Sequence, residues 1–330
     1  MEGMRLLKRK AGIACMLAVG LFASYEGKAQ DPQFTQFYAN PLYLNPAFAG
    51  TENCPRVTLN YRNQWPGLTA TYVTYAASYD QNVQPIGGGL GFQVLNDRAG
   101  QNTLNTTRVS LQYSYYLPVT RTFNMRFGVE TAFFQRSLDW SQLQFGDMID
   151  PRKGFIYETK ETKRGDGNVS NLDFSAGFLG YTKQFFFGFA VHHLTEPNES
   201  LIIDDSPLPR KYTGHIGGNI PISESKYSKK TGTFVSPNLL YMQQADFRQL
   251  LLGVYFTRGP LVAGAWYRNQ DAFILLLGFK TDLIKFGYSY DITVSKLSTK
   301  TAGSHEISLG FQFDCRVKKR KYRMPSCPSF

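Results

Sequence analysis

Hydrophobic and polar side chains alternate with a period of two along most of this chain. In the clearest segment, 105–117, one face carries Val109, Leu111, Tyr113, Tyr115 and Leu117, and the other carries Arg108, Ser110, Gln112 and Ser114. Segments 123–133, 284–292 and 306–314 alternate in the same way. Period two places the two classes on opposite faces of a β-strand. An apolar face backed by charges and glycines is typical of a transmembrane β-barrel with a polar lumen.

Fourteen such segments can be recognised. They lie near 56–64, 71–80, 88–96, 105–117, 122–136, 172–181, 184–193, 210–221, 233–244, 248–258, 261–268, 272–281, 283–291 and 305–314. We predict an all-β fold, an antiparallel transmembrane barrel of about fourteen strands, because an even number returns both chain ends to one side. Short connections then face the periplasm, and the long ones at 137–171, 194–209 and 292–304 face outward. A soluble sandwich also alternates, but its strands are usually about five or six residues.

Residues 30–55 break this alternation. Three prolines within 31–50 exclude a strand ladder, and Pro41 and Pro46 leave room for about one helical turn between them. The segment is nevertheless too apolar for a free linker, since it carries Phe34, Phe37, Tyr38, Leu42, Tyr43, Leu44 and Phe48. We therefore predict an ordered collar or plug at the periplasmic entrance of the barrel, either inside the lumen or below it, and we call it the collar segment.

Residues 1–29 are predicted to be a signal peptide. A basic start (Arg5, Lys8, Arg9 and Lys10) precedes an apolar stretch at 11–23, and small residues Gly27 and Ala29 precede the cleavage point. The apolar stretch is shorter than the roughly 20 residues that a membrane-spanning helix needs. The predicted organisation is signal peptide 1–29, collar segment 30–55, barrel 56–314 and basic periplasmic tail 315–330.

Composition and charge fit this organisation. The chain has 20 Tyr, 26 Phe and 30 Gly, yet its mean hydropathy is only −0.29, as expected where apolar residues occupy one strand face. The net charge is +11, and the tail alone contributes Arg316, Lys318, Lys319, Arg320, Lys321 and Arg323. Export excludes nucleic acid as a partner. The tail is instead expected to contact outer-membrane lipid or an acidic periplasmic protein.

Three cysteines follow the signal peptide: Cys54, Cys315 and Cys327. The periplasm is oxidising, so one disulfide is expected. Cys54 precedes the first strand and Cys315 follows the last, and these strands are neighbours in a closed barrel. Cys327 in the tail is the other possible partner. We predict a disulfide from Cys54 to either Cys315 or Cys327.

The sequence offers no convincing catalytic, metal or cofactor site. His192 and His215 lie on polar strand faces without an oxyanion motif or further ligands, and we interpret them as lumen-lining residues. Segment 87–91 is rich in glycine like a phosphate-binding loop, but it opens a strand and not a helix. We expect its glycines to pack against the collar segment. An outer-membrane lipid-modifying enzyme is accordingly the weakest of the functions considered.

Several motifs together resemble the PorP/SprF family along the whole mature chain. They are Asp31–Phe37, Asn40–Gly50, Tyr61–Gly67, Asn96–Gly100, Gly264–Arg268, Gly287–Asp291, Gly303–Ser308 and Cys327–Phe330. The resemblance implies a non-enzymatic outer-membrane β-barrel of the type IX secretion system of Bacteroidetes. It further implies support for export or surface attachment of cargo with C-terminal sorting domains, including adhesins of gliding motility.

The same resemblance implies partners and docking residues. The implied partners are the periplasmic secretion ring, an OmpA-like peptidoglycan-binding protein and a secreted cargo, expected to be a large surface protein. The candidate docking residues are Asn40, Pro41, Asn45, Pro46, Gly50, Tyr61, Arg62, Asn63, Gln64, Trp65, Pro66, Asn96, Asp97, Tyr288, Tyr290, Asp291, His305 and Glu306. The alternative function is an outer-membrane diffusion channel for small solutes.

Overall fold

The structure is a computed structural model that describes residues 31–68, 71–163, 165–202, 205–223, 232–294 and 301–315. The predicted signal peptide, Cys327 and the tail beyond Cys315 lie outside the described residues. Within them, no helix is long and apolar enough to cross a membrane.

Fourteen antiparallel strands form a closed barrel, as predicted from the alternation. They are β1 (Arg56–Gln64), β2 (Tyr72–Val83), β3 (Gly88–Ala99), β4 (Leu104–Pro118), β5 (Asn124–Leu138), β6 (Asn168–Tyr181), β7 (Phe185–His192), β8 (Lys211–Gly218 with Ile220–Ser223), β9 (Thr233–Gln244), β10 (Phe247–Arg258), β11 (Leu261–Arg268), β12 (Ala272–Lys280), β13 (Ile284–Thr293) and β14 (Ser304–Gln312). Each strand pairs with the next along the chain, and β1 pairs with β14 to close the ring.

Several strand ends differ from the prediction. β6 begins at Asn168 and not at 172, because its polar first residues still pair with the backbone of β5. β8 is interrupted at Asn219. The outer connection after β5 contains an unpredicted hairpin, Ile149–Asp150 with Gly154–Phe155. Backbone pairing, which needs no apolar side chain, accounts for the longer β6 and for the hairpin.

The two ends of the barrel differ in their connections. At the turn end, where β1 begins and β14 ends, the described connections are short, such as 182–184 and 259–260. The opposite end, called the loop end, carries the longer connections 139–167 and 193–210. In bacterial outer-membrane barrels the short turns face the periplasm, so the turn end of this barrel faces the periplasm and the loop end faces the cell exterior.

The outside of the barrel is apolar, and the inside has two different walls. Leu111 and Leu277 on the outside are 64% and 67% exposed. The apolar wall comprises inward side chains of β9 to β12, namely Leu240, Leu251, Tyr255, Val262, Trp266, Ile274 and Leu276. The polar wall comprises mainly charged and hydrogen-bonding side chains of β1 to β5, β13 and β14, among them Arg62, Asp80, Gln93, Arg126, Glu130, Asp291 and Glu306.

Candidate functional site: the plug in the barrel lumen

The collar segment folds as three short helical turns. They are a 3-10 turn at Phe37–Ala39, one α-helical turn at Pro41–Leu44 and a second 3-10 turn at Pro46–Phe48. The two prolines each begin a turn, where a missing N–H costs nothing and the fixed φ suits a helix. The Asn45 side chain caps the last turn by accepting a hydrogen bond from the Ala47 amide at 2.9 Å. The prediction of about one turn between Pro41 and Pro46 is confirmed.

From Pro32 onward, the collar segment lies inside the barrel. Its residues 32–55, which we call the plug, run through the lumen from the loop end to the turn end. Thr35 contacts the loop-end halves of β13 and β14, whereas Gly50 contacts the turn-end half of β2. Of the two positions that the sequence left open, the structure has the one inside the lumen. A rim could not bury the apolar plug residues, whereas the lumen buries Leu42 completely and Phe37 to 5% exposure.

Two carboxylates of the barrel hold the first plug residues. Glu306 on β14 accepts hydrogen bonds from the backbone amides of Thr35 at 2.6 Å and Gln36 at 2.9 Å. Asp291 on β13 accepts a hydrogen bond from the Thr35 hydroxyl at 2.7 Å. Both carboxylates are at most 2% exposed. Charge-assisted hydrogen bonds of this kind are stronger than neutral ones, so they fix the plug backbone against the polar wall.

Two arginines balance these buried carboxylates. Arg62 on β1 lies 3.2 Å from both Asp291 and Glu306, and Arg268 on β11 lies 3.2 Å from Asp291. Arg62 is 2% exposed and Arg268 is 3% exposed. Removing any one member would leave an uncompensated buried charge, which makes these four residues interdependent. We call them the anchor cluster.

The middle of the plug is held through Asn45. Its amide nitrogen donates to the backbone carbonyls of Phe178 at 3.0 Å and Phe189 at 3.3 Å. The same nitrogen lies 3.3 Å from a ring nitrogen of His215, and a ring nitrogen of His192 lies 3.4 Å from the Leu44 carbonyl. Both histidines line the lumen, as the sequence indicated.

The turn end of the plug is held by its backbone. The Ala49 carbonyl accepts hydrogen bonds from the Ser114 hydroxyl at 2.6 Å and from Arg126 at 2.9 Å. The Gly50 amide donates to Asp80 at 2.9 Å. Gly50 has φ +63°, a conformation that residues with a Cβ adopt only with strain.

Inward glycines make room for the plug. A Cβ placed on Gly128 would lie 2.2 Å from the Ala47 amide nitrogen, and one on Gly89 would lie 2.3 Å from the Ala49 carbonyl oxygen. A Cβ on Gly177 or Gly287 would lie 2.3 or 2.4 Å from a plug side chain, and one on Gly91 would lie 3.0 Å from Leu42. The wall is thus shaped to this one backbone path. The expectation that the glycines of 87–91 pack against the collar segment is confirmed for Gly89 and Gly91.

Aromatic contacts join the plug to the apolar wall. The Phe37 ring meets the edge of Trp266 with ring centres 4.9 Å apart, an arrangement that aromatic pairs favour. Leu44 and Ala47 pack in the same buried cluster as Leu240 and Ile274. The apolar wall therefore binds the plug mainly by excluding water and by close packing.

A disulfide ties the start of β1 to the end of β14. Cys54 and Cys315 are bonded, with Cα atoms 5.6 Å apart. Among the described residues, no group of His, Cys, Asp and Glu is arranged to hold a metal ion.

Comparison with protein families identifies the chain. A family model described as "Type IX secretion system membrane protein PorP/SprF" matches residues 26–311. The chain belongs to the PorP/SprF family. It is an outer-membrane β-barrel of the type IX secretion system, and this membership implies association with other components of that system. No curated protein matches the sequence significantly.

Solved outer-membrane barrels are similar to this PorP/SprF chain at low identity. The Ralstonia pickettii toluene transporter TbuX has a TM-score of 0.45 and 10% identity, covering 83% of this chain and 93% of its own. The P. putida toluene transporter TodX has a TM-score of 0.46 and 9% identity, covering 82% and 93%. The Acinetobacter baumannii protein Omp33 has a TM-score of 0.42 and 9% identity, covering 80% and 100%. Values this low carry no inference about substrate or mechanism.

The candidate docking residues of the PorP/SprF motifs fall into three places. Asn40, Pro41, Asn45, Pro46, Gly50, Arg62, Asp291 and Glu306 lie between plug and wall and are buried. Tyr61, Asn63, Tyr288, Tyr290 and His305 lie at outward strand positions, where the Tyr288 hydroxyl is 2.9 Å from a His305 ring nitrogen. Gln64, Trp65, Pro66, Asn96 and Asp97 lie at the loop end of β1 and β3.

Several residues of the plug site are absent from that set. Thr35, Gln36, Asp80, Arg126 and Arg268 all bind or balance the plug network. Three of them, Asp80, Arg126 and Arg268, share with Arg62 a charge at an inward strand position. That signal was available from the alternation, whereas Thr35 and Gln36 lie in the Asp31–Phe37 motif, which does not indicate their hydrogen bonds to Asp291 and Glu306.

Proposed function

We propose that this PorP/SprF protein is a plugged, non-enzymatic barrel that supports export or surface attachment of cargo carrying C-terminal sorting domains. The observation that supports this most is the plug itself. Buried charge pairs, backbone hydrogen bonds and fitted glycines hold it along the whole lumen. Such a barrel acts as a rigid membrane platform for partners and not as a pore.

The proposed partners follow from the family and from the orientation of the barrel. The turn end faces the periplasm, where the secretion ring and an OmpA-like peptidoglycan-binding protein are available as partners. The loop-end residues Trp65, Pro66, Asn96 and Asp97, and the outward group with Tyr288 and His305, are the docking candidates that the plug does not cover. The cargo is a large surface protein, and in gliding organisms an adhesin.

A deletion experiment tests the cargo role. Deleting the gene should leave a large adhesin-like cargo inside the cell, and the wild-type gene in trans should restore its display. Whole-cell labelling of surface proteins followed by mass spectrometry reports the outcome. Normal surface display of every such cargo in the deletion strain would contradict the proposal.

Single-channel recording separates the platform from the diffusion channel. The purified barrel in a planar bilayer should give no large, steady conductance. A variant with the plug residues 32–51 replaced by a Gly/Ser linker serves as the open reference and should conduct. An equal, large conductance in both proteins would favour the diffusion channel.

A further inference from the structure

The outer surface of the barrel changes from apolar to polar between two neighbouring outward rungs of β3 to β6. The last apolar rung consists of Val94, Val109, Phe133 and Leu172, which are paired in register across these strands. The next two outward rungs toward the loop end contain no apolar side chain. They consist of Asn96, Thr107, Gln135 and Ser170, and then of Arg98, Asn105, Ser137 and Asn168. We call these eight residues the polar band.

The length of the apolar belt places the polar band at the depth of the outer-leaflet head groups. On β4 the outward apolar side chains run from 109 to 117, about 26 Å along the strand and about 20 Å of membrane at the usual strand tilt. The apolar belt of a bacterial barrel is about 25 Å tall. β4 and β5 nevertheless extend to Leu104 and Leu138 at the loop end. The polar band therefore lies just outside the hydrocarbon, on the exterior side of the membrane.

The polar band contains a single charge, that of Arg98. A protein face that meets only water usually carries charges of both signs. The outer connection after β5, farther from the membrane, does so with exposed Asp139, Asp147, Lys153 and Glu158. Acids are thus absent from the eight positions of the polar band and common beyond them. Their absence favours neighbours that are themselves anionic, because like charges repel.

Hydrogen bonds organise the polar band around Arg98. Its Nε donates to the amide oxygen of Asn96 at 2.8 Å, and its guanidinium lies 5.6 Å from the centre of the Tyr75 ring. The amide nitrogen of Asn96 in turn donates to Asn105 at 2.7 Å and to Thr107 at 2.9 Å. Within the described part of the chain, no acid forms an ion pair with Arg98. The fixed guanidinium can therefore bind an external phosphate through its terminal nitrogens.

We propose that the polar band binds a phosphorylated glycolipid of the outer leaflet, with a phosphate at Arg98 and sugar hydroxyls along Gln135 and Ser170. Amide and hydroxyl side chains both donate and accept hydrogen bonds, as sugar hydroxyls do. The acyl chains of the lipid lie against the apolar rung below, at Val109 and Phe133. The inference goes beyond the platform function and does not depend on it. Asn96, one of the docking candidates, contacts lipid in this arrangement and not a protein partner.

Lipid retention by the purified barrel in phosphatidylcholine nanodiscs tests this site. Native mass spectrometry should detect bound lipid A that carries its phosphates and inner-core sugars. Phosphatidylglycerol offers a phosphate without sugars and should be retained about tenfold less, and so should the same glycolipid after removal of its phosphates. Absence of bound glycolipid would overturn the proposal. Equal retention of either reference lipid would overturn it as well.

Two matched pairs of variants locate the glycolipid. Arg98→Gln should weaken its retention about tenfold or more, because a charged hydrogen-bond donor is lost. Arg121→Gln, at an exposed arginine of the turn end, should have no effect. Gln135→Leu extends the apolar belt by one rung and should weaken retention about threefold or more, whereas Thr131→Leu, at an exposed position within the belt on the same strand, should not. Undiminished retention by Arg98→Gln, in a barrel whose folding is verified by heat-modifiable migration on gels, would overturn the proposed site.

Discussion

The two walls of the lumen hold the same plug by different physical means. The polar wall grips individual atoms, as when Glu306 accepts hydrogen bonds from two consecutive plug amides. The apolar wall offers Trp266 and Leu240 as a surface on which Phe37 and Leu44 pack. Hydrophobic contact is non-directional, so it supplies binding energy without fixing depth or rotation. Directional contacts on the polar wall fix where the plug backbone sits.

The largest expected effect comes from filling the space between the two walls that the plug occupies. Gly128→Leu places a side chain where the Ala47 backbone lies, because even a Cβ would be 2.2 Å from its nitrogen. The plug turn at Pro46–Phe48 then cannot seat. Hydrogen-exchange mass spectrometry should show peptides from 32–51 losing nearly all protection. Gly214→Leu on the outward face is the control. If Gly128→Leu showed the same protection as wild type, the inward glycines would not be needed to make room for the plug.

The next effect tests the polar wall alone. Glu306→Ala leaves two buried plug amides without their acceptor and Arg62 without one of its carboxylates. Removing one partner of a buried pair costs about 3–5 kcal/mol. We expect the stability of the seated plug, measured by hydrogen exchange at 34–37, to fall by that amount. Glu161→Ala in the exposed outer loop is the control. If Glu306→Ala lowered the stability of the seated plug by less than about 1 kcal/mol, the anchor cluster would not be the main contribution to plug binding.

A somewhat smaller effect tests the apolar wall. Leu44 is 4% exposed, and Leu44→Ala should destabilise the seated plug by about 3 kcal/mol through lost burial and a cavity. Because this wall contacts the plug mainly by apolar packing, the loss should be spread over the plug and not concentrated at Thr35. Leu111→Ala, at an outward position, should leave plug exchange unchanged. A loss confined to Thr35 would mean that the two walls are not separable.

The smallest effect is expected for hydrogen bonds in the outer loop. These bonds are exposed to solvent, so they can be compared with the buried hydrogen bonds of the polar wall. Hydrogen bonds from the backbone amides of Lys160 and Arg152 hold the pKa of the Asp147 and Asp150 carboxyls, respectively, below their ordinary value of 3.8. A depressed pKa means that these contacts support the loop above pH 3.8 and are lost as the pH falls through the folded-state values.

Pepsin cleavage reports this loss in the outer loop. Cleavage within 139–163 should accelerate in wild type as the pH falls below 3.8. A variant with Asp147→Asn and Asp150→Asn, measured at the same pH to cancel the change in pepsin activity, should be cleaved fast throughout. A wild-type rate that keeps a constant ratio to the variant would show that these carboxylates do not order the loop.

The barrel could be predicted from sequence because its signal is local. Alternation along 105–117 reports which side chains face out, and this period does not depend on any distant residue. The path of the plug depends on distant residues. Gly128 and Gly177 receive plug atoms, yet nothing near them in sequence distinguishes them from glycines such as Gly310 that receive none.

The candidate site was predictable only in part for the same reason. Arg62, Asp291 and Glu306 stood out as charges within recognisable motifs, but the alternation cannot report how far a chain segment enters the lumen. The position of Thr35 near the loop end follows from tertiary contacts with Asp291 and Glu306. The sequence left open whether the collar segment enters the lumen, because strand connectivity specifies where β1 starts and not how the preceding residues run.

The disulfide between Cys54 and Cys315 has a mechanical consequence. A barrel made from one chain has a single junction, between its first and last strands, that only hydrogen bonds would otherwise close. Here the cross-link turns the ring of strands into a covalent loop, at the point where the plug leaves the lumen. A pull on a partner docked at the periplasmic end would load this bond before it could peel β1 from β14. Separating β1 from β14 at this end of the barrel therefore requires breaking a covalent bond as well as hydrogen bonds.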